Sequence, residues 1–286
     1  MLMEKVLLAT DFSASARNLE HCVKEFQGLG LREVVLTHVV DVQDSAMAST
    51  VLQRHNKEAL EEEKERLLQL GVEVKVRVEL GYPPQKIVDI ARRENVSLIL
   101  VGSHGKGFLR ELLLGSTAFD IIRSSEIPVY VEKYQAGEGQ NVQPFSPHRL
   151  QNLLVPIDFS YCSEEALEKV LALGRNVGQV NLVAVIESSE DQEELEKNRK
   201  EYQYSLEEMC RRFHDLEIPV YSRVEVGVAS EKIMEVAGAT GASMIVLSTR
   251  GTGRLQRLFL GSTADAVARR SQQPTLLIPC RKPQGS

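Results

Sequence analysis

Several features that would point directly to a function are missing from this sequence. No apolar run approaches the roughly 20 residues that a membrane-spanning helix requires. The formal net charge of −6 disfavours general nucleic-acid binding, although a local basic patch is compatible with it. The N-terminal stretch MLMEKVLLATDF reaches Asp11 too early for a signal peptide. We therefore expect a cytoplasmic globular protein, with neither nucleic acid nor a membrane as its partner.

Motifs for common nucleotide and metal chemistries are absent as well. The chain has no GxxxxGK[ST] phosphate loop, and its GxG segments lack the third glycine of the dinucleotide fingerprint. The four cysteines, Cys22, Cys162, Cys210 and Cys280, form no CxxC, which argues against a zinc site or a redox dithiol. We expect all four to be buried or half-buried thiols in a reducing compartment.

What the sequence does contain is a long internal repeat. The segment KVLLATDFSASARNLE matches NLLVPIDFSYCSEEAL, and LLLGSTAFDIIRSSEIPVYV matches LFLGSTADAVARRSQQPTLLIP. The offset between the copies is 147 residues at Asp11 and Asp158, and 146 residues from Leu36 and Leu182 onward. This period is far too long for a solenoid, so it predicts two copies of one domain.

The copies are predicted to occupy residues 1–133 and 149–282. A linker rich in Gly, Pro, Gln and Asn separates them at residues 134–148. Within each copy, apolar runs typical of buried strands alternate with helical stretches. This alternation predicts an α/β fold in which each copy forms a doubly wound, open, parallel sheet of five strands, as in Rossmann-like proteins.

A glycine-bearing segment follows the fourth predicted strand of each copy. It reads GSHGKGFLRELLLGST in the first copy and STRGTGRLQRLFLGST in the second. Ligands of open α/β sheets bind beyond the C-terminal strand ends, where strand order reverses, and the loop after the first strand emerges there too. We expect Gly105 to adopt a positive φ and Ser116 to lie at or near a helix N-cap. Such a helix start binds anions, and phosphate is the usual one.

With this repeat and these segments, the chain resembles tandem members of the universal stress protein family over nearly its whole length except the linker. The most specific element is the complete G-x2-G-x9-G-[ST] pattern that starts at Gly102, which marks the ATP-binding members of that family. The resemblance implies an adenine nucleotide alpha hydrolase-like fold and a bound ATP or AMP, with Mg²⁺ a further candidate at the phosphates. It also implies that the two domains pair through their last strands; a homodimer is the other pairing considered.

Matching the family pattern residue by residue gives two candidate nucleotide sites. The family places ribose at the aspartate, adenine at the end of the second strand, and phosphates at the glycine loop and helix start. In the first copy the matching residues are Ala9, Asp11, Val39, Val101, Gly102, Ser103, His104, Gly105, Lys106, Gly107, Phe108, Gly115, Ser116 and Thr117. In the second copy they are Pro156, Asp158, Val185, Leu247, Ser248, Gly251, Gly261, Ser262 and Thr263.

The second copy departs from the pattern at Ser248, where the motif has its first glycine. We expect the Cβ atom of Ser248 to crowd the sugar and weaken the second site. Arg250 and Arg254 are expected to offset part of this loss by attracting phosphate.

Some polar residues carry two interpretations. His38 lies in a predicted strand and is favoured as a core histidine over a catalytic one, because Ala184 takes its place in the second copy. His104 either approaches phosphate or faces solvent. Asp11 and Asp158 either cap the following helix or bind ribose, and a carboxylate beside a nucleotide can also hold Mg²⁺.

Three functions are compatible with these features. The favoured one is a regulatory stress-response protein that binds ATP or AMP and hydrolyses it slowly or not at all. The second is a weak ATPase or nucleotidyl-transfer enzyme, which needs a placed base and a strong metal site that the sequence does not display. The third is an interaction module with a vestigial second site. No catalytic or metal-ligating residue is assigned, because matched positions yield no Ser/His/Asp or Cys/His arrangement.

Overall fold

The protein divides into two compact units, Met1–Pro147 and His148–Ser286. A computed structural model describes residues 3–41, 49–103, 114–136, 142–146, 148–187, 191–251 and 260–280. In this part of the chain, no helix has both the length and the apolar character needed to cross a membrane.

The first unit is built on five parallel strands with helices in the connections. The strands are β1 (Lys5–Ala9), β2 (Glu33–Val40), β3 (Glu73–Leu80), β4 (Leu98–Gly102) and β5 (Val129–Glu132). The helices are α1 (Ala14–Arg17), α2 (Glu20–Gln27), α3 (Ser49–Leu68), α4 (Pro83–Arg93) and α5 (Ser116–Ser124). The strands lie in the order β3-β2-β1-β4-β5, and each neighbouring pair is parallel.

The centre of this sheet is buried because its strands are apolar on both faces. Val6, Leu7 and Leu8 of β1 are fully buried, as expected for a continuous apolar run. Val6 lies opposite Val34 of β2 on one side and Leu98 of β4 on the other. Strand order therefore reverses between β1 and β4, and the loops after these two strands emerge side by side at one edge of the sheet.

Two short strands follow the first sheet, within the segment predicted as linker. They are β6 (Tyr134–Ala136) and β7 (Val142–Pro144), which pair antiparallel. The composition of this segment gave no sign of a strand pair. Three paired residues are held by backbone hydrogen bonds and are too few to show an alternation of apolar and polar side chains.

The second unit repeats the architecture of the first. Its strands are β8 (Asn152–Pro156), β9 (Gln179–Ile186), β10 (Val220–Val226), β11 (Met244–Ser248) and β12 (Thr275–Ile278). Its helices are α6 (Tyr161–Leu171), α7 (Gln192–His214), α8 (Ala229–Thr240) and α9 (Ser262–Arg270), with a short 3₁₀ helix at Gly174–Asn176. The order is β10-β9-β8-β11-β12, again parallel throughout, so strand order reverses between β8 and β11.

The expectation of four thiols is wrong for two of the cysteines. Cys162, in α6, and Cys280, just beyond β12, form a disulfide, whereas Cys22 and Cys210 are buried thiols. The bonded residues are 118 positions apart, and only the fold brings them together. Sequence spacing carries no signal for such a pair. The cysteines therefore no longer support a reducing compartment.

Reduction of this disulfide should destabilise the second unit. A bond that closes a loop of about 100 residues contributes roughly 4–5 kcal/mol in the chain-entropy model. We expect a phosphine reductant to shift urea unfolding of the second unit to lower concentration. Cys162→Ala should abolish this shift, whereas Cys210→Ala should keep it. Ellman's reagent should titrate two thiols in the unfolded, unreduced chain, and a count of four would contradict the disulfide.

Candidate functional site

The second unit has a cavity of about 330 Å³ beside the ends of β8 and β11. This volume is at the lower end of the range for small-molecule sites, roughly 300–1,000 Å³. The structure brings together on its wall all nine residues that were matched in the second copy. They are Pro156, Asp158, Val185, Leu247, Ser248, Gly251, Gly261, Ser262 and Thr263. Their roles toward a ligand stay predictions.

The cavity also has lining residues that the family pattern did not indicate. Glu187 follows β9 directly, and Ala229 and Ile233 lie one turn apart at the start of α8. The i, i+4 spacing of Ala229 and Ile233 is the one signal in the sequence that could have paired them, once the helix is known to begin at Ala229. Arg250, expected to attract phosphate, lines the cavity. Its companion Arg254 lies outside the described residues.

An aspartate forms a tight turn after the first strand of each unit. The Oδ1 atom of Asp11 accepts a hydrogen bond from the Ser13 N–H at 3.0 Å. The Oδ1 atom of Asp158 accepts from the Ser160 N–H at 3.1 Å and from the Ser160 hydroxyl at 2.6 Å. Ser160 is itself the N-cap of α6, because its side chain accepts from the Ser163 N–H. The aspartate therefore shapes the turn, and the serine caps the helix.

The phenylalanine that follows each aspartate is held in the left-handed region. Phe12 has φ 62° and Phe159 has φ 56°, which is uncommon for a bulky residue. Phe12 packs on the His38 ring at 4.4 Å, and Phe159 packs on Tyr202 of α7 at 4.8 Å. These ring contacts favour the conformation, which costs about 1–2 kcal/mol by itself. Nothing in the DFS sequence predicted it.

The loop after β11 lies against Asp158. A Cβ atom at position 251 would overlap the Asp158 Oδ2 atom, so a larger residue there would have to displace the Asp158 carboxylate. The φ angle of Gly251 is outside the left-handed region, whereas a positive φ was predicted for its counterpart Gly105, which is not among the described residues. Ser248 donates its hydroxyl hydrogen bond to the Arg250 carbonyl. The Ser248 side chain is therefore bound to its own loop at the cavity wall.

The helices after the two glycine loops begin in the same way. Gly115 is the N-cap of α5 and Gly261 the N-cap of α9, so Ser116 and Ser262 are the first helical residues. The Gly115 N–H donates to the Ser103 carbonyl at 2.7 Å, and the Gly261 N–H donates to the Thr249 carbonyl at 2.9 Å. The following N–H groups have no acceptor within the helix, and at α9 they start at the cavity wall.

In the first unit, the matched residues that the structure describes lie at the corresponding ends of its own strands and at the start of α5. Ala9 ends β1, Val39 lies in β2, and Val101 and Gly102 end β4. Ser103 is buried, and Ser116 and Thr117 are exposed at the start of α5. The predicted phosphate-loop residues His104, Gly105, Lys106, Gly107 and Phe108 lie outside the described residues.

Comparison with known proteins identifies the family of this fold and site. The model of the universal stress protein family matches the chain twice, over residues 3–133 and residues 149–279. The chain belongs to the universal stress protein family. Both units are therefore universal stress protein domains, and the tandem organisation predicted from the repeat is confirmed.

Individual relatives correspond to one domain or to the whole chain. Universal stress protein MJ0577 of Methanocaldococcus jannaschii is 33% identical over 156 residues, covering 46% of this chain and 96% of the relative. Universal stress protein YxiE of Bacillus subtilis is 31% identical over 146 residues, covering 46% of this chain and 99% of the relative. The crystal structure of a universal stress protein from Archaeoglobus fulgidus covers 98% of this chain and 99% of its own, with 22% identity and a TM-score of 0.72. This last similarity confirms the α/β fold.

His38 of the first universal stress protein domain is a buried structural histidine, as favoured from the sequence. Its Nδ1 atom lies 2.8 Å from the Thr10 carbonyl, which can only accept, so Nδ1 carries the proton. The Nε2 atom then accepts from the Asn56 side-chain amide at 3.0 Å. These partners assign a neutral ring that holds the chain just before Asp11.

A buried carboxyl group lies behind the same turn. Glu63 of α3 is 1% exposed, and its Oε2 atom accepts a 3.1 Å hydrogen bond from the Thr10 hydroxyl. The Oε1 atom has no hydrogen-bond partner among the residues that the structure describes. Burial raises the pKa of Glu63 from 4.5 to about 7, and the Thr10 hydrogen bond counteracts only part of this rise. The run EALEEEKERL that contains Glu63 is typical of a solvated helix face, so the sequence gives no sign of this burial.

Gly251→Ala should lower the stability of the second universal stress protein domain through a clash with Asp158. We expect the free energy of unfolding in urea to fall by about 1–3 kcal/mol. In an Asp158→Ala background the same change should cost under about 1 kcal/mol, because the overlapping atom is gone. Gly238→Ala, where a Cβ atom meets nothing within 4 Å, is the control and should be neutral or stabilising. Equal costs in both backgrounds would refute the contact.

Glu63→Gln should stabilise the first domain at alkaline pH. Because folding raises the pKa of Glu63, the associated stability is fully present below pH 4.5 and is lost as the pH rises through about 7. At pH 8 we expect the variant to be more stable than the wild type by about 2–3 kcal/mol, and at pH 4.5 to be nearly equal to it.

Urea unfolding at the two pH values measures this effect. Glu94→Gln is the control of opposite sign, because hydrogen bonds from Lys75 and Arg77 lower the pKa of Glu94 to about 2. That variant should lose stability at pH 8. A Glu63→Gln protein that is less stable than the wild type at pH 8 would contradict the prediction.

Proposed function

We propose that both domains bind an adenine nucleotide, ATP or AMP, and that the protein is a regulatory stress-response protein with slow hydrolysis or none. One observation carries the proposal. In the second domain a single cavity is lined by the aspartate turn, the end of β9 and the start of α9. A carboxylate, an apolar wall and a helix start are the parts that ribose, base and phosphate need.

Each part of the cavity suits one part of a nucleotide. The Asp158 carboxylate accepts hydrogen bonds, as binding of ribose hydroxyls requires. Val183 and Val185 of β9 offer an apolar surface for the base. The N–H groups at Ser262 and Thr263 point out of the start of α9 and suit phosphate, and the Arg250 guanidinium adds positive charge to the same wall.

The arrangement supports binding more than catalysis. Within the described ranges, no three His, Cys, Asp or Glu side chains are grouped to hold a metal ion. We therefore propose that any Mg²⁺ ion binds as a complex with the nucleotide, where it would neutralise part of the negative charge of the phosphates. A hydrolysis rate measured at saturating ATP distinguishes a binding protein from the weak-ATPase alternative.

The two sites are proposed to differ in strength, with tighter binding by the first domain. The Ser248 side chain lies in the second cavity wall where the family motif has glycine. We expect its Cβ atom to crowd the sugar of a bound nucleotide. We also propose that the domains pair through β5 and β12, as the family resemblance implies, and that the protein is cytoplasmic, as its composition led us to expect. Sedimentation at several concentrations separates intramolecular pairing, which gives a monomer, from a homodimer.

Nucleotide that co-purifies with the protein is the direct test of the proposal. Acid should release ATP, ADP or AMP from the purified chain, and chromatography should identify it. Calorimetry with ATP, AMP and GTP then measures affinity and base preference. If no adenine nucleotide bound at any concentration tested, the interaction-module alternative would replace this function.

Asp11→Ala should remove the sugar preference of the first site. Losing hydrogen bonds to a charged acceptor costs about 1.5–3 kcal/mol, or roughly ten- to a hundredfold in affinity. In a Gly261→Val background, chosen to disable the second site, we expect the chain with Asp11 intact to prefer ATP over 2′-deoxy-ATP or 3′-deoxy-ATP. Asp11→Ala should bind all three equally.

The competing explanation is that Asp11 only shapes the turn. Asp11→Ala would then lose about 1 kcal/mol of stability and keep its sugar preference. Asp11→Asn is the matched control, since its side-chain oxygen can still accept from the Ser13 N–H and preserve the turn. A preserved sugar preference in Asp11→Ala would exclude the ribose role.

A further inference from the structure

We infer that Glu63 is a positioning residue of the first site: its neutral form fixes the Asp11 turn, so nucleotide affinity of the first domain falls as the pH rises through neutrality. This inference rests on the proposed function. It names a control of the first site that the second site does not share.

The contacts that carry the inference converge on Thr10, the residue before Asp11. The His38 ring donates to the Thr10 carbonyl at 2.8 Å, and the Thr10 hydroxyl donates to Glu63 at 3.1 Å. The same hydroxyl accepts from the Phe12 N–H at 3.2 Å. Thr10 is thus held through both its carbonyl and its hydroxyl, and the two hydroxyl contacts connect α3 to the backbone on the far side of Asp11. Moving Glu63 therefore alters the turn that presents the Asp11 carboxylate.

The surroundings of Glu63 favour its neutral form. It is 1% exposed, and Oε1 lacks a hydrogen-bond partner among the described residues, so an ionised carboxylate is poorly solvated there. Arg66 of the same helix and Arg17 of α1 attract a negative charge at Glu63, whereas Glu20 of α2 repels it.

The attraction from Arg66 is weakened because its guanidinium is paired with Glu20 at 2.8 Å. The neighbouring β2 residue, His38, is assigned as a neutral ring by its partners. An ionised carboxylate accepts the Thr10 hydrogen bond more strongly than a neutral one does, but the cost of burying the charge outweighs this gain. On our inference the ionised side chain relieves that cost by moving toward water or the arginines, which releases the Thr10 hydroxyl and loosens the turn.

The second domain provides a natural comparison, because it lacks this polar group. Leu60 and Leu67 flank Glu63 on the buried face of α3, and at the same offset of 146 residues Leu206 and Phe213 flank Met209 in α7. Ile157 replaces Thr10, and Ala184 replaces His38. The aspartate turn of the second domain thus has no titratable group at these positions.

The test is ATP affinity of the full chain at pH 6 and pH 8.5, by calorimetry in the Gly261→Val background. Nucleotide phosphates also titrate, so the decisive quantity is the pH dependence of the chain with Glu63 relative to that of the Glu63→Gln variant. Between these pH values, we expect affinity to fall roughly tenfold more in the chain with Glu63 than in the variant. Glu63→Gln keeps an acceptor for the Thr10 hydroxyl and carries no charge. At pH 8.5 we therefore expect this variant to bind ATP more tightly than the chain with Glu63.

Glu63→Leu separates the hydrogen bond from the charge. The leucine side chain can neither accept the Thr10 hydrogen bond nor carry a charge. Glu63→Leu should therefore bind ATP more weakly than Glu63→Gln at both pH values, with the same pH dependence as Glu63→Gln. Infrared spectroscopy of the nucleotide-free wild type should show a buried protonated-carboxyl band that disappears near pH 7 and is missing from Glu63→Gln. Both results would support a positioning role, because a merely structural residue would not change the pH profile of binding.

Two outcomes would overturn the inference. One is an identical pH dependence in the chains with Glu63 and with Glu63→Gln. The other is loss of ATP binding at both pH values in a folded Glu63→Gln protein, which would mean that the ionised form is the competent one. A wild type that binds neither ATP nor AMP at either pH would instead refute the proposed function, and this inference with it.

Discussion

The parallel pairing of β1 with β4, and of β8 with β11, is the constraint on which the rest of each domain depends. Strand order reverses at these pairs, so the connections that follow them diverge and leave a crevice at the sheet edge. The aspartate turn reaches this crevice from one strand and the glycine loop from the other. In the second domain the two loops approach so closely that a side chain at Gly251 would overlap Asp158.

The parts of this arrangement that could be predicted depend on local sequence. Apolar runs marked the strands, and the matched positions around Asp158 and Gly261 line one cavity, since each lies at a strand end or helix start. The features that escaped prediction depend on distant residues. Burial of Glu63 requires α3 to pack against Thr10, and in a helix rich in acidic residues this glutamate looked like another solvent-exposed charge. The pattern also gave no sign that Gly251 lies against Asp158, because this contact joins residues 93 positions apart in the chain.

The two domains therefore share a backbone plan while differing in what lies beneath the aspartate turn. The first has a polar network of Thr10, His38, Asn56 and Glu63, and the second has apolar residues at the matched positions of Thr10, His38 and Glu63. Polar networks in a low-dielectric interior are directional and sensitive to a single proton, whereas apolar packing is not. The two aspartate turns therefore follow one backbone plan on supports of different chemistry.

The disulfide gives the second domain a mechanical property. Cys280 lies just beyond β12, so a pull on the chain past this point reaches α6 through a covalent bond. The hydrogen bonds between β12 and β11 are then bypassed, and the last strand cannot peel away alone. A protein-unfolding machine that draws the chain from that side of Cys280 would meet the crosslink and have to thread three segments together: both ends of the loop closed by the disulfide and the chain that precedes Cys162.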